Sequence, residues 1–265
     1  MQIFNTFLFA SDMDGTLLPN GTRTAAAGCL ERTHRLLQQL KEAACPVVYI
    51  TGRYLSLAQE GQRTFKLPKP DYWVCNVGTE IYDGEGRLDT GWENMIGPAF
   101  DRNKLSNAFT AIPRLTPQEE EKQGPHKFSL YHRGPVDDAL RARILTQAEQ
   151  IVEDIRLVDS VEESSGQTLL DLIPENTGKA SALHYLSAKL GLPEKRVFFS
   201  GDSGNDFDAL ISGVSSTLVG NALPAVQAQA RDLAKDLVNA RLSVSRGYYG
   251  DGIIEGLMVY GLVGQ

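Results

Sequence analysis

Two carboxylates stand one residue apart in Asp12-Met13-Asp14, and Gly15-Thr16 follows at once. Such a pair can divide labour: one carboxylate attacks an electrophilic phosphorus while the other hands a proton to the departing oxygen. Two acids would repel a phosphate unless a cation lay between, so the pair predicts a hard metal held through oxygen, magnesium by default. Alone, the same run would also suit a surface turn, because Asp and Gly favour turns. A calcium loop fits poorly, since Thr16 is misplaced for an EF-hand and no downstream Glu completes one.

A second acidic group, Gly201-Asp202-Ser203-Gly204-Asn205-Asp206, lies near the other end of the chain. It follows an apolar run, as the first group does, and two such clusters at two strand ends are hard to explain as independent turns. If the strands are neighbours, Asp202 completes a metal site and Asp206 holds it from behind. Thr51-Gly52-Arg53 ends a third apolar run, where a hydroxyl and backbone N–H groups suit a phosphate oxygen. Lys179 begins an amphipathic stretch after Asn176-Thr177-Gly178. A single lysine is ordinarily a surface residue, but beside these motifs it is the best-placed cation to offset a nucleophile and a phosphate.

The elements that must position these groups are short. Phe7–Ala10, Val47–Ile50 and Val197–Ser200 are apolar runs of the kind found in strands buried on both faces. A helical stretch around Leu30–Leu40 joins the first two, and Val214–Val219 reads as another strand. Helices are expected over Lys179–Leu190, Ala222–Leu237 and Gly252–Leu262, the second with Leu223, Val226, Ala230, Leu233 and Leu237 on one face. The alternation predicts an α/β fold: a Rossmann-like parallel sheet with helices on both faces. The middle differs, with a turn at Asp83–Gly86, a Pro- and charge-rich passage over Pro113–Pro125, and a strand over Lys127–His132. A helix over Val136–Val152 and strands near Ile155–Val158 and Thr168–Leu172 follow. This texture predicts an inserted α+β cap domain at 83–173 within a core formed by 1–82 and 174–265.

The 265 residues are 42% apolar, enough for such a core, and 26 Lys and Arg against 33 Asp and Glu leave a net charge of −7. That balance argues against nucleic acid or an anionic membrane as partner. Cys29, Cys45 and Cys75 have no paired spacing, so neither a disulfide framework nor a zinc site is expected, and a reducing cytoplasm is the natural compartment. No run reaches the roughly 18 apolar residues of a membrane span.

Asp12–Thr16, Thr51, Lys179 and Gly201–Asp206, in this order, resemble the haloacid dehalogenase-like (HAD) superfamily. Its signature runs DxDGT, a Thr or Ser ending the second strand, a Lys before a helix, and GDxxND. Pro70-Asp71-Tyr72, Val77-Gly78-Thr79-Glu80, Pro125-His126-Lys127, Gly220-Asn221-Ala222-Leu223-Pro224 and the tail Asp251–Leu257 are similar to its sucrose-6-phosphate and mannosylfructose-phosphate phosphatase branch. The resemblance implies a magnesium-dependent phosphatase acting on a small sugar phosphate, working as a monomer or dimer. It assigns Asp12 as nucleophile, Asp14 as acid and base, and Thr51 and Lys179 as phosphate contacts. Magnesium would be held by the Asp12 and Asp202 carboxylates and the Asp14 carbonyl. Asn205 and Asp206 would orient Lys179 or metal-bound water, and Gly52, Arg53, His126, Lys127 and Asn205 are expected at phosphate or sugar. A phosphomutase using the same aspartate, a receiver domain and a non-catalytic sugar-phosphate sensor are the rival readings; sustained phosphate release separates them.

Overall fold

The structure, a computed structural model, describes residues 2–110, 112–161, 166–235 and 237–264. From the amino end come β1 (Gln2–Ile3), β2 (Leu8–Asp12), α1 (Cys29–Glu42), β3 (Val47–Ile50), α2 (Leu55–Thr64), β4 (Tyr72–Cys75) and β5 (Glu80–Asp83). The middle holds α3 (Thr90–Ile96), α4 (Arg102–Phe109), β6 (Leu115–Pro117), β7 (Phe128–His132), α5 (Asp138–Glu149), β8 (Ile155–Val161) and β9 (Thr168–Pro174). Then follow α6 (Lys179–Lys189), β10 (Val197–Gly201), α7 (Phe207–Leu210), β11 (Ser215–Leu218), α8 (Pro224–Lys235), β12 (Arg241–Val244), α9 (Gly250–Val259) and β13 (Val263–Gly264).

Seven strands form the main sheet in the order β12-β11-β10-β2-β3-β4-β5. All pairs are parallel except β4 with β5. Successive side chains of a strand point to opposite faces, so a continuous apolar run feeds two cores at once. Phe9, Val47 and Tyr49 join α1, α2 and α9 through Leu36, Leu37, Ala58, Ile253 and Leu257. Leu8, Ala10, Val48 and Ile50 face the other way, toward Trp92 and Ile96 of α3, Ala182 and Leu186 of α6, and Leu210 of α7. Residues 90–96 thus pack with the large sheet, although the expected insertion opens at residue 83.

A separate antiparallel sheet, β6-β7-β9-β8, has its own core: Leu130, Leu170 and Leu172 bury against Phe109 of α4 and Ile144 and Ala148 of α5. Expected and observed helix ends differ by at most three residues, as fraying termini do. The apolar row expected on α8 is a larger difference. Ala230 is buried, whereas Leu223, Leu233 and Leu237 are exposed. α8 lies against β12, the last strand of the sheet, and a helix there has no further apolar surface to cover. Among the described residues, no helix is long and apolar enough to cross a membrane. All three cysteines are buried and unpaired.

Candidate active site

Register brings the sequence motifs together. Ser11 pairs with Ser200 and Asp12 with Ile50, so Asp12, Thr51 and Asp202 emerge side by side at the carboxyl ends of three adjacent strands. The chain leaves β2 toward β3 on one side and β10 lies on the other, which makes this a topological switch point where a crevice opens. A cavity of about 680 Å³ occupies it. One wall carries Asp12, Asp14, Thr51, Gly52, Arg53, Asp202 and Asn205; the other, from the small sheet and its loops, carries Gln118, Lys122, Lys127, Asp159 and Asp171.

Lys179, at the first position of α6, is fully buried and donates from Nζ to Asp12 Oδ1 at 2.7 Å, Asp206 Oδ1 at 2.6 Å and Asn205 Oδ1 at 3.0 Å. Each ammonium hydrogen thus has an acceptor, which makes burial of the charge tolerable. Burial alone would pull the Lys179 ammonium down, but Asp12 and Asp206 hold it above its ordinary value. Asp206 is committed on both oxygens, since Oδ2 accepts the N–H groups of Asp202 at 3.0 Å and Ser203 at 3.1 Å. It acts as a brace beneath the site.

Asp12, Asp202 and Asp206 each offer a carboxylate oxygen within 4.8 Å of the others. Only Asp12 and Asp202 line the cavity. Burial, opposed by Lys179 and reinforced by Asp206 and Asp14, pushes the Asp12 carboxyl up to about 7. Burial also drives Asp202 well up, with the charges of Asp12 and Asp206 adding to it, while Thr16 Oγ1 donates to Asp202 Oδ1 at 3.1 Å. When all three acids are ionised, one lysine offsets only one of their three charges, and all donors are hard oxygen. A small divalent cation fits that donor set.

Asp14 extends into the cavity and is gripped by two neighbours. Arg53 donates from Nε to Asp14 Oδ2 at 2.7 Å and from Nη2 to Oδ1, and Asn20 Nδ2 donates to Oδ1 at 2.6 Å. Arg53, expected at phosphate or sugar, therefore pairs first with the protein's own acid, and its Nη1 is spent on the Leu57 carbonyl. Thr51 Oγ1 accepts the Arg53 N–H at 3.1 Å. Beside it, Val77 N–H donates to the Thr51 carbonyl at 3.1 Å while Val77 holds φ 59°, a costly conformation for a β-branched residue of the kind that collects at functional sites.

His126, expected at phosphate or sugar, stands apart from the other site residues. It is buried, its Nε2 lies 2.9 Å from the Gly97 carbonyl, and it is absent from the cavity lining, so it ties loops together. Lys127 does reach the cavity, with Nζ 3.4 Å from Asp171 Oδ1. Residues without a sequence-derived role also matter. Asn221 Nδ2 donates to the Gly15 carbonyl at 2.7 Å and its Oδ1 accepts the Tyr249 N–H at 2.8 Å. The Gly220–Pro224 resemblance held that residue, and Asn20-Gly21 is a turn dipeptide beside the acids, so both carried a signal.

A family model described as sucrose-6F-phosphate phosphohydrolase matches residues 5–261. The chain belongs to that family. Its members are phosphoric monoester hydrolases of the HAD type, the class to which the fold and the acidic site point. The chain is 28% identical to mannosylfructose-phosphate phosphatase of Agrobacterium fabrum, over 96% of this chain and 97% of that one. It is 32% identical to sucrose-phosphatase 1 of Nicotiana tabacum over 66% of its length. The chain spans about half the length of the tobacco sucrose-phosphatases it matches, at 41% and 50%. Among solved structures, the sucrose-phosphatase of Synechocystis in complex with sucrose and phosphate aligns with a TM-score of 0.81 at 25% identity, over 97% of this chain and 99% of that one.

Proposed function

We propose that this chain is a magnesium-dependent phosphatase of a phosphorylated disaccharide, working through a phosphoryl group carried on Asp12. The observation that carries the reading is the placement of Asp12: one oxygen is tied to Lys179, and the residue lines the cavity where a phosphate would sit. In the first half-reaction an Asp12 oxygen attacks phosphorus, the bond from phosphorus to the sugar oxygen breaks, and Asp14 supplies the proton that oxygen needs. In the second, a water attacks the acyl phosphate, Asp14 takes its proton, and inorganic phosphate leaves while Asp12 is regenerated.

Arg53 and Asn20 hold Asp14 at the cavity wall, and Arg53 must release one Asp14 oxygen before that acid carries a proton in either transfer. Thr51 and the Gly52 N–H hold phosphate oxygens, and Lys179 offsets negative charge gathered on Asp12 and the phosphoryl group. The Asp12 and Asp202 carboxylates, with the Asp14 carbonyl, would hold the magnesium ion. When bound, it supplies positive charge that lets an anionic substrate approach two acids.

The small sheet then serves as a cap, which we bound at about residues 98–174 because α3 packs with the main sheet. Its wall of Gln118, Lys127 and Asp171 offers donors and acceptors suited to sugar hydroxyls. A cavity of this size has room for more than one sugar ring. The relatives named for sucrose phosphate and mannosylfructose phosphate support the disaccharide assignment. A phosphate-release panel tests it, with sucrose 6-phosphate, mannosylfructose phosphate, glucosylglycerol phosphate and common hexose phosphates, with and without magnesium. A disaccharide phosphate should lead in kcat/KM; preference for a hexose phosphate, or transfer back to sugar without free phosphate, overturns the assignment.

A further inference from the structure

The small sheet touches the main one at a seam beside the catalytic lysine. Arg156 lies on β8, and its Nη2 donates to Asp208 Oδ2 at 3.0 Å in α7, directly after Asn205 and Asp206. The same Asp208 oxygen accepts the Ala180 N–H at 3.4 Å, next to Lys179. One carboxylate therefore joins three segments: the strand of the small sheet, the turn carrying Asn205 and Asp206, and the start of α6. Gly178 fits this arrangement. It holds φ +136°, and a Cβ there would come within 1.8 Å of Arg156 Nη2 and 2.6 Å of Asp208 Oδ2.

Around the pair the seam is loosely packed. A crevice of about 180 Å³ remains between Arg156, Val158 and Asp159 on one side and Asn205, Phe207 and Asp208 on the other. Arg156 Nε is buried with no hydrogen-bond partner. A close-packed interface leaves no such void, so this junction is held by a polar fastening more than by apolar contact. Asn205 lines both this crevice and the main cavity while its Oδ1 accepts from Lys179 Nζ, so a shift of the seam reaches the lysine through one side chain.

We infer that Arg156 is a positioning residue that, through Asp208, fastens the small sheet over the cavity and couples its placement to the segment supporting Lys179. The inference rests on the phosphatase reading of the site. It belongs to steps that use a large leaving group, because a sugar must be held by the small sheet and an aryl group need not be.

The test compares Arg156→Gln, Asp208→Asn and the double variant with the parent enzyme. The substrates are the fastest sugar phosphate of the release panel and 4-nitrophenyl phosphate. Each single variant should lose about tenfold in kcat/KM on the sugar phosphate, mainly through KM, and clearly less on the aryl phosphate. The double variant should be no worse than either single one. Arg156→Lys, which keeps the charge, should restore part of the loss. Amide exchange should rise together over residues 155–161 and 204–210 in Arg156→Gln. Equal loss on both substrates, additive losses in the double variant, or faster exchange confined to 155–161 would overturn the coupling. A parent enzyme that releases no phosphate from any substrate refutes the phosphatase reading instead, and the exchange measurement still decides whether the fastening exists.

Discussion

At the scale of the residue, the site turns on which oxygen of which acid is already committed. Asp206 has both oxygens satisfied, by Lys179 and by two backbone N–H groups, so it can brace but cannot readily join a metal or a phosphate. Asp12 shares the same lysine yet lines the cavity, which suits it to the nucleophile's role proposed for it and Asp206 to support. Asp12→Asn should therefore lower kcat by at least about a thousandfold, because an amide is nearly isosteric but does not attack phosphorus. The circular dichroism spectrum should match the parent's, and mass spectrometry should find no phosphoryl group on the peptide carrying residue 12. Retained turnover would remove Asp12 from the mechanism. An acid pair, a cation and a second acid group at apolar run ends suggest a metal and phosphate site from type and order, whereas the choice of Asp12 over Asp14 as nucleophile comes from the family resemblance. Arg53 and His126 could not be resolved that way. Each has the chemistry to meet a phosphate, and only the fold shows that Asp14 takes the first and the Gly97 carbonyl the second.

At the scale of the element, the legible parts are those whose side chains obey one period on both faces. β2, β3 and β10 stood out because continuous apolar runs end within three residues of Asp12, Thr51 and Asp202. Their register did not, since nothing in a strand's own composition names its neighbour. The polar wall of the small sheet was hidden for a different reason. Along β9, Leu170 and Leu172 face the core while Asp171 lines the cavity, and this alternation is identical to that of a strand with one face in water. Turns are where sequence and geometry constrain each other most tightly. Gly15 holds φ +71°, and a Cβ there would stand 2.3 Å from Asp202 Oδ2. Gly15→Ala must then displace the Asp202 carboxyl from the position in which Thr16 holds it. Magnesium affinity, measured by titration of activity and by calorimetry, should weaken about 10- to 100-fold while the overall fold persists. Unchanged affinity would show that Asp202 is not a ligand.

At the scale of the whole molecule, the protons that burial holds on Asp12 and Asp202 set how stability depends on pH. The folded, metal-free protein keeps Asp12 protonated up to about 7 and Asp202 well above the ordinary carboxylate range, whereas the unfolded chain releases both protons near 4. The folded state thus binds more protons between those limits, and stability must fall as pH rises through that window. Lys179 does not reverse the sign, because its ammonium stays charged on both sides of the window. A divalent cation replaces the protons as counter-charge, so its binding strengthens where they leave. At magnesium about a hundred times its dissociation constant, the stabilisation is about 2.7 kcal/mol, or roughly 5–10 °C in melting temperature for a chain of this size. Thermal unfolding at pH 8 should show that shift at saturating magnesium, and at pH 5.5 the same concentration should give a markedly smaller one. Chelation at pH 8 should return the melting temperature to the metal-free value. A shift of equal size at both pH values would mean that the ion binds somewhere other than among Asp12, Asp202 and their neighbours. No shift at either pH would take the metal out of the site, and with it the explanation of how an anionic substrate can approach two acids at the end of one strand.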